Sequence, residues 1–180
     1  NPHFLYNTLE SIHMMAEINN DHETSKMAVT LGNLFRYGLS NKYKKVTVRD
    51  ELKNIEAYIM LQKIRYENIS DVIVNVDKSL YDKEIIRLIF QPIIENAIYH
   101  GLSSMEDGGI LKILGYAHGS TMVFELCDNG EGMNEEKLEL LNGYINELND
   151  SFKSIGLRNV NMRIKLQYGS SYGLFIFSKK

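Results

Sequence analysis

The chain has 180 residues, 44% of them hydrophobic and 24% charged, with a net charge of −3 and a pI near 6.0. That composition fits one globular domain or two small ones and excludes a disordered tail, a collagen-like repeat and, with Cys127 as the lone cysteine, a disulfide scaffold. The acidic balance argues against general nucleic-acid binding, and no run of residues reaches the ~18–20 apolar positions that span a bilayer.

The chain opens Asn1-Pro2-His3 with no initiator methionine and reads as a piece of a longer protein. Leu5, Leu9, Ile12 and Ala16 are spaced as the apolar stripe of an amphipathic helix, which Asn19-Asn20-Asp21 ends. A second stripe runs through Met27, Leu31, Leu34, Phe35 and Leu39. A third, Leu52, Ile55 and Ile59, follows a start signal at Thr47-Val48-Arg49-Asp50. Residues 1–66 therefore read as a helical hairpin with a connecting helix. The pattern then changes: Val72-Ile73-Val74-Asn75-Val76 is a strand, residues 84–100 read as helix, and 109–117 and 121–127 read as a hairpin turning at His118-Gly119-Ser120. Residues 134–155 are polar around a short apolar helix at Leu138 and Leu141. Leu157, Val160, Ile164 and Tyr168 mark a last helix, and 174–177 a last strand. Up to residue 66 the chain carries 9 basic and 7 acidic side chains, and beyond it 11 and 16, so the charge balance turns where the pattern turns. The mixture predicts an α+β sandwich with helices on one sheet face.

Four segments carry chemistry. In Asp128-Asn129-Gly130-Glu131-Gly132-Met133 an apolar strand ends in an acid and a two-glycine loop. A buried carboxylate there accepts hydrogen bonds only, which suits the exocyclic amine of adenine, and the glycines admit a flat ligand. On its own the same run is equally an ordinary turn. In the stretch 91–101, Ile93, Ile94, Ala97 and Ile98 form an apolar face, and Gln91, Glu95, Asn96, Tyr99 and His100 form a polar one closed by Gly101. Asn96 offers a neutral oxygen suited to Mg²⁺; a solvated helix face is the alternative. Ser154-Ile155-Gly156-Leu157-Arg158-Asn159 opens a helix whose free N–H groups suit an anion, or merely turns a loop into a helix. In Asn1-Pro2-His3-Phe4-Leu5-Tyr6-Asn7, His3 lies about 200° from Leu5 around the helix and faces away from the apolar stripe, with Asn7 one turn on. A neutral imidazole nitrogen there is a competent nucleophile toward a phosphoryl group, or an incidental surface histidine.

Taken in order, these four segments resemble the cytoplasmic end of sensor histidine kinases of the LytS/YesM type, and the resemblance covers essentially all 180 residues. The phosphoacceptor motif of that family is similar to residues 1–9, its N box to 91–101, its first glycine box to 128–133, and its second to 156–159 with Arg163. The resemblance implies a helical phosphoacceptor and dimerisation region over 1–66, truncated at its N-terminus. Over 67–180 it implies an ATP-binding GHKL (Bergerat-type) two-layer α/β sandwich with a mixed, largely antiparallel sheet. It implies ATP and Mg²⁺, autophosphorylation of His3, and transfer to an aspartate on the receiver domain of a response regulator. A homodimer of the parent protein follows, with no nucleic-acid partner. The fragment is expected to be cytoplasmic without membrane contact, in a parent integral to the bacterial cell membrane. By position, Asp128 would hold the adenine amine and Asn96 the metal. Gly130, Gly132 and Gly156 would line the nucleotide, with His100, Asn129, Met133, Leu157, Arg158 and Asn159 beside them and 134–155 as a mobile lid.

Two positions depart from the broader histidine-kinase pattern. Phe4 stands where many such kinases carry an acid, and Pro92 where many carry a second asparagine. The general base then falls to Glu95 or Asn7, of which Asn7 can only orient the imidazole. The competing readings are a GHKL-type ATPase that attacks with water and a nucleotide-binding module without catalysis.

Overall fold

A computed structural model describes residues 1–39, 45–66, 68–146 and 155–179. Helix α1 (Pro2–Ile18) starts where the Asn1 side chain accepts the His3 N–H, and proline occupies the first helical position, where no N–H is needed. Helix α2 (His22–Leu39) packs along it. The face that α1 turns to α2 is Tyr6, Leu9, His13 and Ala16, rotated from the expected stripe, so that Leu5 and Ile12 stay about 40% exposed. Polar groups explain the rotation. His13 Nδ1 lies 2.9 Å from Ser25 Oγ, and the buried Ser25 hydroxyl donates to Glu17.

Strand β1 (Lys45–Thr47) leads into α3 (Val48–Arg65) through a capping box. Thr47 Oγ1 accepts the Asp50 N–H at 3.1 Å, and Asp50 Oδ2 accepts the Thr47 N–H at 3.3 Å. β2 (Ile69–Val76) follows, and then β3 (Glu84–Ile86), which pairs antiparallel with β1. Residues 84–100 are thus not one helix. Helix α4 spans Gln91–Asn96 and runs on into a π-helical turn, Ala97–Leu102. Strands β4 (Gly109–His118) and β5 (Thr121–Asp128) form the expected hairpin, and β2 joins β4 in parallel, giving a mixed sheet ordered β2-β4-β5. Helices α5 (Glu135–Asn146) and α6 (Ile155–Tyr168) complete the fold. Residues 147–154 of the expected lid lie outside the described residues.

The sheet is covered on one face. Leu111 and Ile113 of β4 are fully buried against Phe90, Ile94 and Ile98, while Ile73 and Tyr116 remain exposed. Val48, Leu52, Ile55 and Ile59 of α3 share that core, so the connecting helix packs as part of the sheet half. Tyr144, Ile145 and Leu157 form a second, smaller cluster between α5 and α6. Residues 174–177 are not paired as a strand. They are held instead by side chains: Asn161 Oδ1 accepts the Leu174 N–H at 2.9 Å, and Asn142 Nδ2 donates to the Ile176 carbonyl at 3.1 Å. The α+β class with a mixed sheet stands.

Candidate functional site

Among the described glycines, the tightest approach joins the end of the π-helical turn to the loop that follows β5. A Cβ on Gly130 would sit 2.1 Å from the Gly101 carbonyl oxygen, and a Cβ on Gly101 would sit 2.4 Å from Asp128 Oδ1. Only glycine at both positions lets the helix end lie flush on the carboxylate and the loop that follows it. Asp128 Oδ1 accepts the Gly130 N–H at 3.0 Å, which fixes the carboxylate and leaves Oδ2 with open acceptor capacity. The carboxylate is exposed rather than buried; the cradle opens to solvent. Beside it, burial and then the charges of Glu125 and Asp128 push the Cys127 thiol above its ordinary range.

Asn129 does not face the cradle. Its Oδ1 accepts the Ile110 N–H at 2.6 Å and its Nδ2 donates to the Gly108 carbonyl at 2.9 Å, tying the loop to the start of β4. Gly132 takes a left-handed conformation, φ +69°, and the Met133 N–H donates to Ser178 Oγ at 2.8 Å, so the loop rests on the C-terminal segment. Asn96 is half-buried at the end of α4, and His100 is exposed one turn later. Among the described residues no group of three His, Cys, Asp or Glu side chains gathers as a metal site. A hard divalent cation at Asn96 would therefore draw its other ligands from phosphate oxygens and water, as Mg²⁺ does.

Glu95 turns toward α3. It accepts from Gln91 Nε2 at 2.8 Å, and Gln91 Oε1 accepts from Asn54 Nδ2 at 3.2 Å. Burial, and then the Glu95 charge, raise the Tyr58 hydroxyl above its usual range. Gly156 meets α4, where its Cβ would touch Pro92 at 3.4 Å. Leu157 is 4% exposed in the α5–α6 cluster and is a core residue there. The Arg158 guanidinium lies 5.8 Å from the Tyr144 ring centroid, and Asn159 is exposed. Arg163 reaches the segment before α4, donating to the carbonyls of Leu88, at 3.1 Å, and Arg87.

His3 is exposed on the first turn of α1, and Asn7 Nδ2 lies 3.4 Å from its Nδ1. Its hydrogen bonds stay within its own helix and N-cap. α1 packs on α2, and α2 on α3, so His3 belongs to the hairpin and the Asp128 cradle to the sheet half. The structure thus gathers Gly101, Asp128 and Gly130, sets Gly156 against Pro92 at the start of α4, and leaves His3 with Asn7 on the hairpin.

Sequence reasoning missed Glu51. It is fully buried, and its carboxylate accepts the N–H groups of Leu88, Ile89 and Phe90 at 3.0, 2.9 and 3.3 Å, just where α4 starts without a side-chain cap of its own. The signal was present: Glu51 falls on the apolar stripe, beside Leu52 and four residues before Ile55.

Residues 1–70 match the family model described as histidine kinase. The chain is 34% identical over 179 residues to the sensor histidine kinase YesM of Bacillus subtilis (strain 168), covering 99% of this chain and 30% of YesM. It is 33% identical over 185 residues to the sensor protein kinase HptS of Staphylococcus aureus (strain USA300), covering 99% and 34%. The histidine kinase domain of the Erythrobacter litoralis EL346 blue-light activated histidine kinase aligns at a TM-score of 0.48 and 17% identity, covering 89% of this chain and 83% of that one. The chain is a homologue of the sensor histidine kinases and spans about a third of the length of the curated relatives it matches. Among the described residues no helix is long and apolar enough to cross a membrane.

Proposed function

We propose that this chain is the phosphotransfer end of a two-component sensor kinase, in which His3 takes the terminal phosphoryl group of ATP and hands it to an aspartate of a response-regulator receiver domain. The observation that carries this reading is the pairing, in one homologue of sensor kinases, of an exposed histidine braced by Asn7 with a carboxylate-and-glycine cradle. The cradle fits an adenine nucleotide: Asp128 keeps a free acceptor edge for an exocyclic amine, and Gly101 and Gly130 exclude any side chain from the surface beside it. Asn96 would give one oxygen to Mg²⁺, which neutralises phosphate charge. Gly132 and Gly156 would flank the phosphates.

Turning the Asn7 amide over would set its oxygen on the Nδ1–H of His3 and leave the other ring nitrogen with its lone pair outward. In the transfer that nitrogen forms a bond to phosphorus, the bridging oxygen–phosphorus bond breaks, and ADP leaves. Asn7 can only orient the ring; Glu95 is the candidate able to take the released proton. The proposed division is a phosphoacceptor and dimerisation region over 1–66 and an ATP-binding domain over 67–180, with α3 as the connector packed on the latter. The parent is proposed to be a homodimer in the bacterial cell membrane.

A second reading, a GHKL-type ATPase activating water, is favoured by Glu95 standing next to Asn96 on α4. Incubating the full-length protein with γ-labelled ATP separates the two. An acid-labile, base-stable phosphoprotein is expected. Steady phosphate release without a phosphoprotein would favour the ATPase and overturn the kinase.

A further inference from the structure

Tyr37, near the end of α2, connects the hairpin to the buried carboxylate of Glu51. Its hydroxyl donates to Glu51 Oε2 at 2.5 Å, and its ring lies under the buried Arg87 guanidinium at 4.0 Å. The same carboxylate holds the backbone N–H groups of Leu88, Ile89 and Phe90. Leu88 sits at φ +54°, a left-handed conformation that a leucine adopts only when its surroundings impose it. Glu51 fixes its N–H, and Arg163 fixes its carbonyl at 3.1 Å. These contacts set the entry of α4, the helix that ends at Asn96. Burial, and then the Glu51 charge, push the Tyr37 hydroxyl above its ordinary range, so it stays a donor near neutral pH. One tyrosine thus links the helix pair that carries His3 to the start of the helix that carries Asn96.

We propose that Tyr37 is a positioning residue for phosphotransfer, acting through Glu51 to hold the His3-bearing hairpin in one orientation relative to the Asn96-bearing helix. This rests on the kinase reading above. A phenylalanine at 37 keeps the ring beneath Arg87 and removes only the hydroxyl. A nucleophile must be held in near-attack geometry, so loosening the hairpin slows transfer while the nucleotide cradle, which Tyr37 does not touch, keeps its affinity.

The test compares wild type, Tyr37→Phe and Tyr116→Phe in the full-length protein. Tyr116 also donates to a glutamate, Glu125 at 2.8 Å, but on the exposed hairpin, and serves as the chemical control. Tyr37→Phe is expected to label His3 about tenfold more slowly at saturating ATP, the lower end for losing a hydrogen bond to a charged group. Its KM for ATP and its affinity for ADP should stay within about twofold on the same arithmetic, and Tyr116→Phe should match wild type. Amide exchange across residues 30–39 should quicken in Tyr37→Phe while that of β4 and β5 is unchanged. A wild-type labelling rate in Tyr37→Phe, or equal losses of rate and nucleotide affinity, would overturn the proposal. Should wild type itself leave His3 unlabelled with ATP bound, the kinase reading fails. The exchange arm then still decides whether Tyr37 holds the hairpin: faster exchange supports the contact, and unchanged exchange overturns it.

Discussion

Asp128 and Gly101 set each other's position, because nothing larger than glycine fits between the π-helical turn and the carboxylate. Asp128→Asn keeps the oxygen that accepts from Gly130 and replaces the free acceptor edge with an amide donor. Losing a hydrogen bond to a charged group costs about 1.5–3 kcal/mol, roughly 10–150-fold in affinity. ADP binding by calorimetry should weaken by that factor while the thermal midpoint of the apo protein is unchanged; unchanged affinity would remove Asp128 from the nucleotide site. Asn161 plays a different part. It is 1% exposed, donates to the Ile145 carbonyl at 2.7 Å and accepts from Leu174 at 2.9 Å, joining α5, α6 and the C-terminal segment. Asn161→Ala strands both backbone groups and should cost about 2–4 kcal/mol in denaturant unfolding; a loss below about 0.5 kcal/mol, the level of a neutral surface change, would contradict the clamp. The acid and glycines of the 128–133 loop were legible in the sequence, since strand-acid-glycine order is local. Asn161 was not, because its partners lie far along the chain and a single polar residue inside a helix reads as solvated; Glu51 showed its place on the apolar stripe of α3, but not the backbone N–H groups it caps 37 to 39 residues on.

The strands 69–76, 109–118 and 121–128 follow β-branched and alternating runs and were readable as such. The segment at 84–90 was not. Ile85, Ile86, Ile89 and Phe90 repeat at the helical spacing, yet all four are buried because a short strand and a tight turn pass through the core. Periodicity alone does not separate a short buried strand from a buried helix. The C-terminal segment, expected as a strand, is not paired as one: Phe175 and Phe177 are exposed, Leu174 and Ile176 are packed, and side chains rather than a neighbouring strand hold its backbone. On α1, Phe4, Ile12, Met15 and Ile18 are 67%, 41%, 65% and 79% exposed, on the side away from α2. An apolar helix face of this kind is the seam that a homodimer would bury. Met15→Glu should shift the chain from dimer to monomer in sedimentation equilibrium with its circular dichroism unchanged; a monomeric wild type, or a variant that still dimerises, would contradict the seam.

At the scale of the whole molecule, the two proposed chemistries fall in two halves. The hairpin presents His3, and the sheet half presents Asp128, Asn96 and the glycines. α3 belongs to the second half by its packing and to the first by its place in the chain, and Tyr37 and Glu51 are where the two meet. His3 has no hydrogen bond to the cradle among the described residues; with Tyr37 holding the hairpin in one orientation, the cradle that serves it is proposed to be that of a second copy. The chain holds five histidines, His3, His13, His22, His100 and His118, of which His3 is the proposed phosphoacceptor. Mapping the phosphorylated residue by mass spectrometry under alkaline conditions, after incubating the full-length protein with Mg²⁺-ATP, tests this most directly. The modification is predicted on His3 and lost in His3→Gln. A phosphoryl group on any other residue, or undiminished labelling of His3→Gln, would contradict the account.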